Sequence, residues 1–287
     1  MGEHSIEVTD SVVPGPHGGV PIRHYVDPGH PRPAAHVVWV HGGGFIRGSL
    51  ELPESDQVAR ALAAEGIATT AVGYRLVRPS LSRAAHTADN RRARSRNRFP
   101  VPLDDVVAVV RQVQEQHPEG VILGGASAGA CLSAGAVMRL AADGDAPLLG
   151  TFFTYGFFHA RLPKGPREGR PQSRGHRRYS HSAALLDILN RIYVGDPAVL
   201  RDPTAFAGGH DLSGFPPSLL LDADRDTMRA SGGQFGRELV AAGVETDYRV
   251  MPETAHAFLN RPLDPAFRPA IDHIAEWVRS RSLVTPK

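Results

Sequence analysis

Short apolar runs alternate with amphipathic stretches along the chain, and the apolar runs have the length of strands rather than helices. Strands are expected at Ile6 to Thr9, Val20 to Tyr25, His36 to Val40, Ile67 to Tyr74, Val121 to Leu123, Leu149 to Tyr155, Ser218 to Asp222 and Thr246 to Met251. Helical spacing of apolar residues runs over Glu54 to Glu65, Leu103 to His117, Ala128 to Ala142, Gly232 to Ala242 and Ala266 to Ser280. Two strands joined by a turn, followed by strand and helix in alternation, predict an α/β protein with a mostly parallel sheet covered by helices on both faces. The stretch Arg161 to Leu212 breaks this alternation, although it contains the helix-like SAALLDILNRIY. It reads as an insertion in a single domain spanning residues 1–287, with a cap or lid at about 157–212 and a basic loop at about 77–98. No period of 20 to 50 residues recurs, so solenoids and propellers are set aside.

Composition narrows the class. With 41% hydrophobic and 22% charged residues over 287 positions, the chain is neither collagen-like, coiled-coil nor wholly disordered. Its one cysteine, Cys131, excludes an intramolecular disulfide framework and a cysteine-based zinc site. The start, MGEHSIEVTDSVV, has no basic stretch followed by an apolar run, and no window approaches 18 uninterrupted apolar residues, so a cytoplasmic protein with no membrane span is expected. The net charge of +2 conceals two basic stretches: Arg78 to Arg98 has seven arginines against Asp89 alone, and Arg161 to Arg178 has six with Lys164 against Glu168 alone. Neither interleaves aromatic residues as a nucleic-acid stacking platform does, so solvated loops are expected and nucleic acid is not a predicted partner.

Three segments carry chemistry. Gly125-Ala126-Ser127-Ala128-Gly129 follows one expected strand and opens an expected helix, the setting in which G-x-S-x-G forces a sharp turn that exposes the serine. His41-Gly42-Gly43-Gly44-Phe45 directly follows the strand His36 to Val40, where three glycines keep side chains away and leave backbone N–H groups free to face a developing negative charge. A serine nucleophile needs a base, and the base an orienting acid. Asp222-Ala223-Asp224-Arg225-Asp226 and His256 follow two later strands at their C-terminal ends, where an exposed serine is within reach. Other readings fit less well. The aspartates lack the glycine and glutamate of a calcium loop, no H-E-x-x-H is present, and Gly124 to Gly129 is not a dinucleotide fingerprint. No metal and no organic cofactor are expected, and Cys131 reads as buried packing.

The set His41-Gly42-Gly43-Gly44-Phe45, Tyr74-Arg75-Leu76, Phe99-Pro100, Gly125-Ala126-Ser127-Ala128-Gly129, Asp226 and His256-Ala257-Phe258 resembles the hormone-sensitive-lipase-like branch of the α/β-hydrolase fold, from about Val37 to about Val278. The resemblance implies a serine carboxylesterase with Ser127, Asp226 and His256 as triad. Gly43, Gly44 and Ala128 would form the oxyanion hole, braced by His41 and Gly42. Thr227-Met228 follows Asp226 where the family favours Pro-Leu, and Ala230-Ser231 replaces an acidic pair, so Asp224 stays open as an alternative acid. The expected substrates are esters of small to medium acyl chains, acted on by a monomer or homodimer. The alternatives are an amidase or peptidase on the same triad and a non-catalytic binder of a small ligand. In a parallel sheet the loops after Tyr74 and Tyr155 leave from the edge that carries Ser127, so both basic stretches are expected to overhang it as a lid. Tyr155, Phe157 and Phe158 would then, with Phe45, contact the acyl chain.

Overall fold

The computed structural model describes residues 5–30, 35–79, 95–164 and 183–282. Among the described residues ten strands follow one another as β1 (Glu7–Val13), β2 (Val20–Val26), β3 (His36–Val40), β4 (Ala68–Val72), β5 (Arg78–Pro79), β6 (Ser95–Arg96), β7 (Val121–Ala126), β8 (Gly150–Thr154), β9 (Ser218–Ala223) and β10 (Thr246–Met251). The helices are α1 (Pro53–Ala64), α2 (Val101–Gln116), α3 (Ala128–Asp143), α4 (Ala183–Val194), α5 (Arg229–Ala241) and α6 (Phe267–Ser282). Eight strands make one sheet in the order β1-β2-β4-β3-β7-β8-β9-β10. β2 pairs antiparallel with both β1 and β4, whereas every pairing from β4 across to β10 is parallel. This is the expected α/β-hydrolase architecture.

Period-2 alternation along the buried strands divides the interior into two layers. Val38, Val40, Leu123, Phe153 and Leu220 face a core built with α2, α3 and α5. Val37, Trp39, Ile122, Phe152 and Leu219 face the other way, onto α1 and α6. Both faces of β3, β7, β8 and β9 are therefore dry, which explains why these strands read as unbroken apolar runs. The edges behave differently. β1 extends four residues beyond the expected Thr9, to Val13, through antiparallel pairing with β2, and most of its side chains are exposed. Half-solvated edge residues carry no apolar signal to mark the extension. β4 stops at Val72 rather than Tyr74, because Gly73 turns away and its N–H donates to the Pro21 carbonyl at 2.8 Å. The two-residue pair β5–β6 had no sequence signal.

The expected insertion is described at both ends, and these ends belong to the main core. Leu186, Tyr193 and Val194 of α4, together with Phe206, join the α2–α3 layer. Cross-ties fix the segment: the Phe99 N–H donates to the Tyr193 carbonyl at 2.9 Å, the Asn190 amide to Ala160 at 3.0 Å and the Gly208 N–H to Phe158 at 2.8 Å. Most of both arginine-rich stretches, the segments expected to overhang the site, falls in 80–94 and 165–182, outside the described residues. Among the described residues no helix is long and apolar enough to cross a membrane.

Candidate active site

Ser127 sits between the last residue of β7 and the first of α3 with φ 52° and ψ −116°, a left-handed conformation that a side chain rarely adopts. The flanking glycines make the turn possible by close approach. A Cβ on Gly125 would lie 2.4 Å from the Gly129 carbonyl oxygen, and one on Gly129 would lie 2.1 Å from the Val40 oxygen and 2.5 Å from that of His41. Because these obstacles are backbone atoms that cannot rotate away, Gly129→Ala is expected to destabilise the fold by about 2 kcal/mol or more, read as a lower urea midpoint at unchanged slope.

The glycine loop leaves the next strand over and packs beside the serine. Gly43 and Gly44 have φ of 116° and 62°, and the Gly43 carbonyl accepts from the N–H groups of Ile46 and Arg47, which curls the loop. Three side chains brace it. His41 is buried and stacks on Tyr74 at 4.5 Å, and its Nδ1 donates to the Gly42 carbonyl at 2.7 Å. Burial pushes the His41 pKa down to about 4, so this ring is neutral. The Tyr74 hydroxyl donates to the His41 carbonyl at 3.0 Å, and the following Arg75 is held by buried Asp105, which accepts from both its backbone N–H and its guanidinium. From the other side, Glu54 of α1 accepts the Gly42 N–H at 2.7 Å. Ala128 opens α3, where the first N–H groups have no partner within the helix and the helix dipole favours negative charge.

His256 and the aspartates come from the ends of β10 and β9. The Ser127 Oγ lies 2.8 Å from His256 Nε2, and His256 Nδ1 lies 2.5 Å from Asp226 Oδ2. Burial alone would lower the histidine pKa, but the adjacent Asp226 carboxylate reverses this, and the net displacement is upward. The second Asp226 oxygen accepts the Met228 N–H at 2.9 Å, which fixes the carboxylate plane. The other two aspartates of the segment are occupied elsewhere. Asp224 is half exposed and pairs with Arg229 at 2.9 Å. Asp222 is buried under Tyr248, whose hydroxyl donates to it at 3.0 Å, and burial with the nearby Asp226 charge holds its pKa well above the usual range. Of the three carboxylates, Asp226 is thereby the one directed at the histidine.

The four aromatic residues expected to meet substrate are placed otherwise. Phe45, Tyr155, Phe157 and Phe158 are each at most 1% exposed. Phe45 stacks on Tyr193 at 4.0 Å with Phe157 against its edge, and Phe158 stacks on Phe235 at 4.1 Å. Tyr155 directs its hydroxyl to Glu54 at 2.6 Å and lays its ring edge-to-face on His256, with centroids 5.2 Å apart. These rings build the wall behind the site. An aromatic run at a strand end has the same sequence pattern whether it packs inward or lines an entrance, so only the packing separates the two. What does reach the glycine loop is Leu189 of α4, whose Cδ1 lies 3.2 Å from where a Gly44 side chain would begin. Leu189 and Glu54 were not anticipated. Ser231, in place of an acidic residue, accepts the Phe158 N–H at 2.8 Å and ties the start of the insertion to α5.

Among the described residues, no group of three or more His, Cys, Asp or Glu is placed to hold a metal ion. Cys131 is buried with its pKa pushed up by that burial, and its thiol donates weakly to the Ala205 carbonyl.

On a sheet of this order, a left-handed serine at a strand-to-helix turn marks the α/β-hydrolase class. The sequence signature of the α/β-hydrolase-fold family matches residues 37–260, and the chain belongs to that family. Among its relatives, a carboxylesterase, NlhH, of Mycobacterium tuberculosis is 28% identical over 249 residues, covering 84% of this chain and 72% of that protein. An ethyl acetate hydrolase of Pseudomonas putida is 28% identical over 255 residues, covering 84% of this chain and 71% of its own. Among solved structures, a hyperthermophilic esterase of the archaeon Pyrobaculum calidifontis superposes with a TM-score of 0.79 at 26% identity, over 97% of this chain and 87% of that one.

Proposed function

We propose that the protein is a serine carboxylesterase of the hormone-sensitive-lipase-like branch, hydrolysing esters of small to medium acyl chains through an acyl-enzyme. The observation that carries this reading is the unbroken relay from Ser127 Oγ through His256 to Asp226, at 2.8 and 2.5 Å, beside a curled glycine loop. Neutral His256 takes the Ser127 proton as the oxygen attacks the ester carbonyl. Asp226 holds the tautomer that presents Nε2 to the serine and stabilises the imidazolium that forms. The N–H groups of Gly43, Gly44 and Ala128 receive the oxyanion as it develops, and His256 returns its proton to the departing alcohol. Water then repeats the sequence on the acyl-enzyme. The esterase and ethyl acetate hydrolase names of the relatives support a simple ester as substrate.

A series of nitrophenyl acyl esters of increasing chain length, run beside one nitroanilide and a serine-directed phosphonate, tests the proposal. Rapid cleavage of the short esters, slow cleavage of the anilide and stoichiometric labelling are expected. Preferential anilide turnover would make the protein an amidase, and absence of both turnover and labelling would make it a binder. The base has its own signature. Because His256 acts deprotonated and its pKa is displaced upward, kcat/KM is expected to rise with pH through a midpoint above the ordinary ~6.5 and then level off. A profile flat from pH 5 to 9 would exclude His256 as the base.

A further inference from the structure

Glu54 lies on the first turn of α1, 3% exposed, with its carboxylate turned into the protein. A glutamate is seldom buried to this degree unless it is paired. The pairing here is unusual, because both donors are neutral: Oε2 accepts the Gly42 N–H at 2.7 Å and Oε1 accepts the Tyr155 hydroxyl at 2.6 Å. Each donor in turn touches the reactive centre. A Cβ on Gly42 would lie 3.0 Å from Ser127 Cβ, and the Tyr155 ring packs on the His256 ring. The residue itself is fixed from three further directions. Its carbonyl accepts the Trp39 indole N–H at 2.8 Å, its N–H donates to Asn260 Oδ1 at 3.2 Å, and Pro53 before it sets the helix start.

We propose that Glu54 is a positioning residue for ester hydrolysis, holding the Gly42 peptide so that the following N–H groups face the oxyanion and setting a second negative charge beside the imidazolium of His256. The proposal rests on the assignment of Ser127, His256 and Asp226 as the triad. A dipole complement at the start of α1 does not explain the residue, since that role is served by an exposed carboxylate and does not require the chain to be dehydrated. Burial holds the Glu54 pKa above its ordinary value on balance, and the Tyr155 and Gly42 donors and the field of His256 pull it back toward ionisation. In a water-excluded pocket, moreover, a fixed charge acts on a nearby cation far more strongly than it does at the surface. The glutamate is thus most favourably ionised at the moment His256 carries the proton.

The test is Glu54→Gln, which keeps an acceptor for Gly42 and a partner for the Tyr155 hydroxyl but removes the charge. A fall in kcat of about tenfold with KM little changed is expected, and the acid limb of kcat/KM moves to lower pH because the imidazolium has lost an anion. Glu54→Ala, which also frees the Gly42 peptide, is expected to lower kcat by about 10² or more, a loss comparable to that of an oxyanion-hole donor. Glu54→Asp restores the charge without the reach, so its acid limb stays near that of the wild type while kcat remains low. A purely structural glutamate would lower the melting temperature in all three variants and leave the acid limb in place, which would overturn the proposal. If Glu54→Gln does not fold, Tyr155→Phe answers the same question. Losing one donor raises the Glu54 pKa and so weakens the negative charge beside the imidazolium, so the acid limb is expected to move to lower pH, as in Glu54→Gln, and an unmoved limb overturns the proposal. Phosphonate labelling of the wild type separates the two levels. Failure to label Ser127 defeats the triad assignment and the role of Glu54 with it, whereas normal labelling with an unchanged Glu54→Gln profile defeats the role of Glu54 alone.

Discussion

Ester turnover by Ser127→Ala is expected to fall by roughly 10⁴-fold or more, with an unfolding midpoint close to that of the wild type. The size of the loss follows from the acyl-enzyme route. Without Oγ no covalent intermediate forms, and the residual rate is what the glycine-loop N–H groups and substrate binding confer on attack by water. Stability is expected to hold because the Oγ bond to His256 is a single contact, while the turn is kept by Gly125 and Gly129 and by the Ser127 N–H, which donates to the Thr154 carbonyl at 3.0 Å. A folded variant that turns over ester near the wild-type rate would remove Ser127 from the mechanism.

Asp226→Asn is expected to have nearly the same effect by a different route. Its amide is nearly isosteric, so the loop survives, but an amide N–H facing His256 Nδ1 favours the tautomer with the proton on Nε2. The serine then faces a donor where it needs an acceptor, and a loss in kcat of about 10⁴-fold is expected. Asp224→Asn removes only a half-exposed pair with Arg229 and should leave kcat within about threefold, in keeping with the small value of exposed ion pairs. Steady-state kinetics on the two variants decides the assignment, and the reverse ranking would transfer the role to Asp224.

The alternation of strands and helices was legible because its cause is local. A strand buried on both faces shows as an apolar run, and β3, β7, β8 and β9 are such strands. Ser127 and the glycine loop were legible for a similar reason, since backbone contacts at 2.1 to 2.4 Å exclude any side chain at Gly43, Gly125 and Gly129 and leave glycine as a mark in the sequence. Choosing among Asp222, Asp224 and Asp226 was not possible from sequence without a family resemblance, because the three alternate in one short loop and differ only in partners contributed by other strands and helices. Glu54 was invisible for the opposite reason. An acidic residue in the first turn of a helix is so ordinary that its burial, imposed by Tyr155 and Asn260 from distant parts of the chain, leaves no trace in its neighbours. The aromatic run at 152–158 was visible but ambiguous, because strand periodicity gives the face each ring points to and not what covers it.

The sheet order also governs when the site comes into being. Its serine comes from β7 near the middle of the chain, its glycine loop from β3, and its base from the loop after β10, so Ser127 and His256 are 129 residues apart and Glu54 and Asn260 are 206 apart. Contacts of such long range form late, because the entropy of closing the intervening loops must be overcome before they contribute. A nascent chain that has already paired β3, β4 and β7 therefore displays the proposed nucleophile and oxyanion loop without the proposed base, His256, beside them. Hydrolytic competence arrives only when the last parallel strand docks, which makes catalysis a sensitive reporter of complete folding and keeps partly made chains chemically inert.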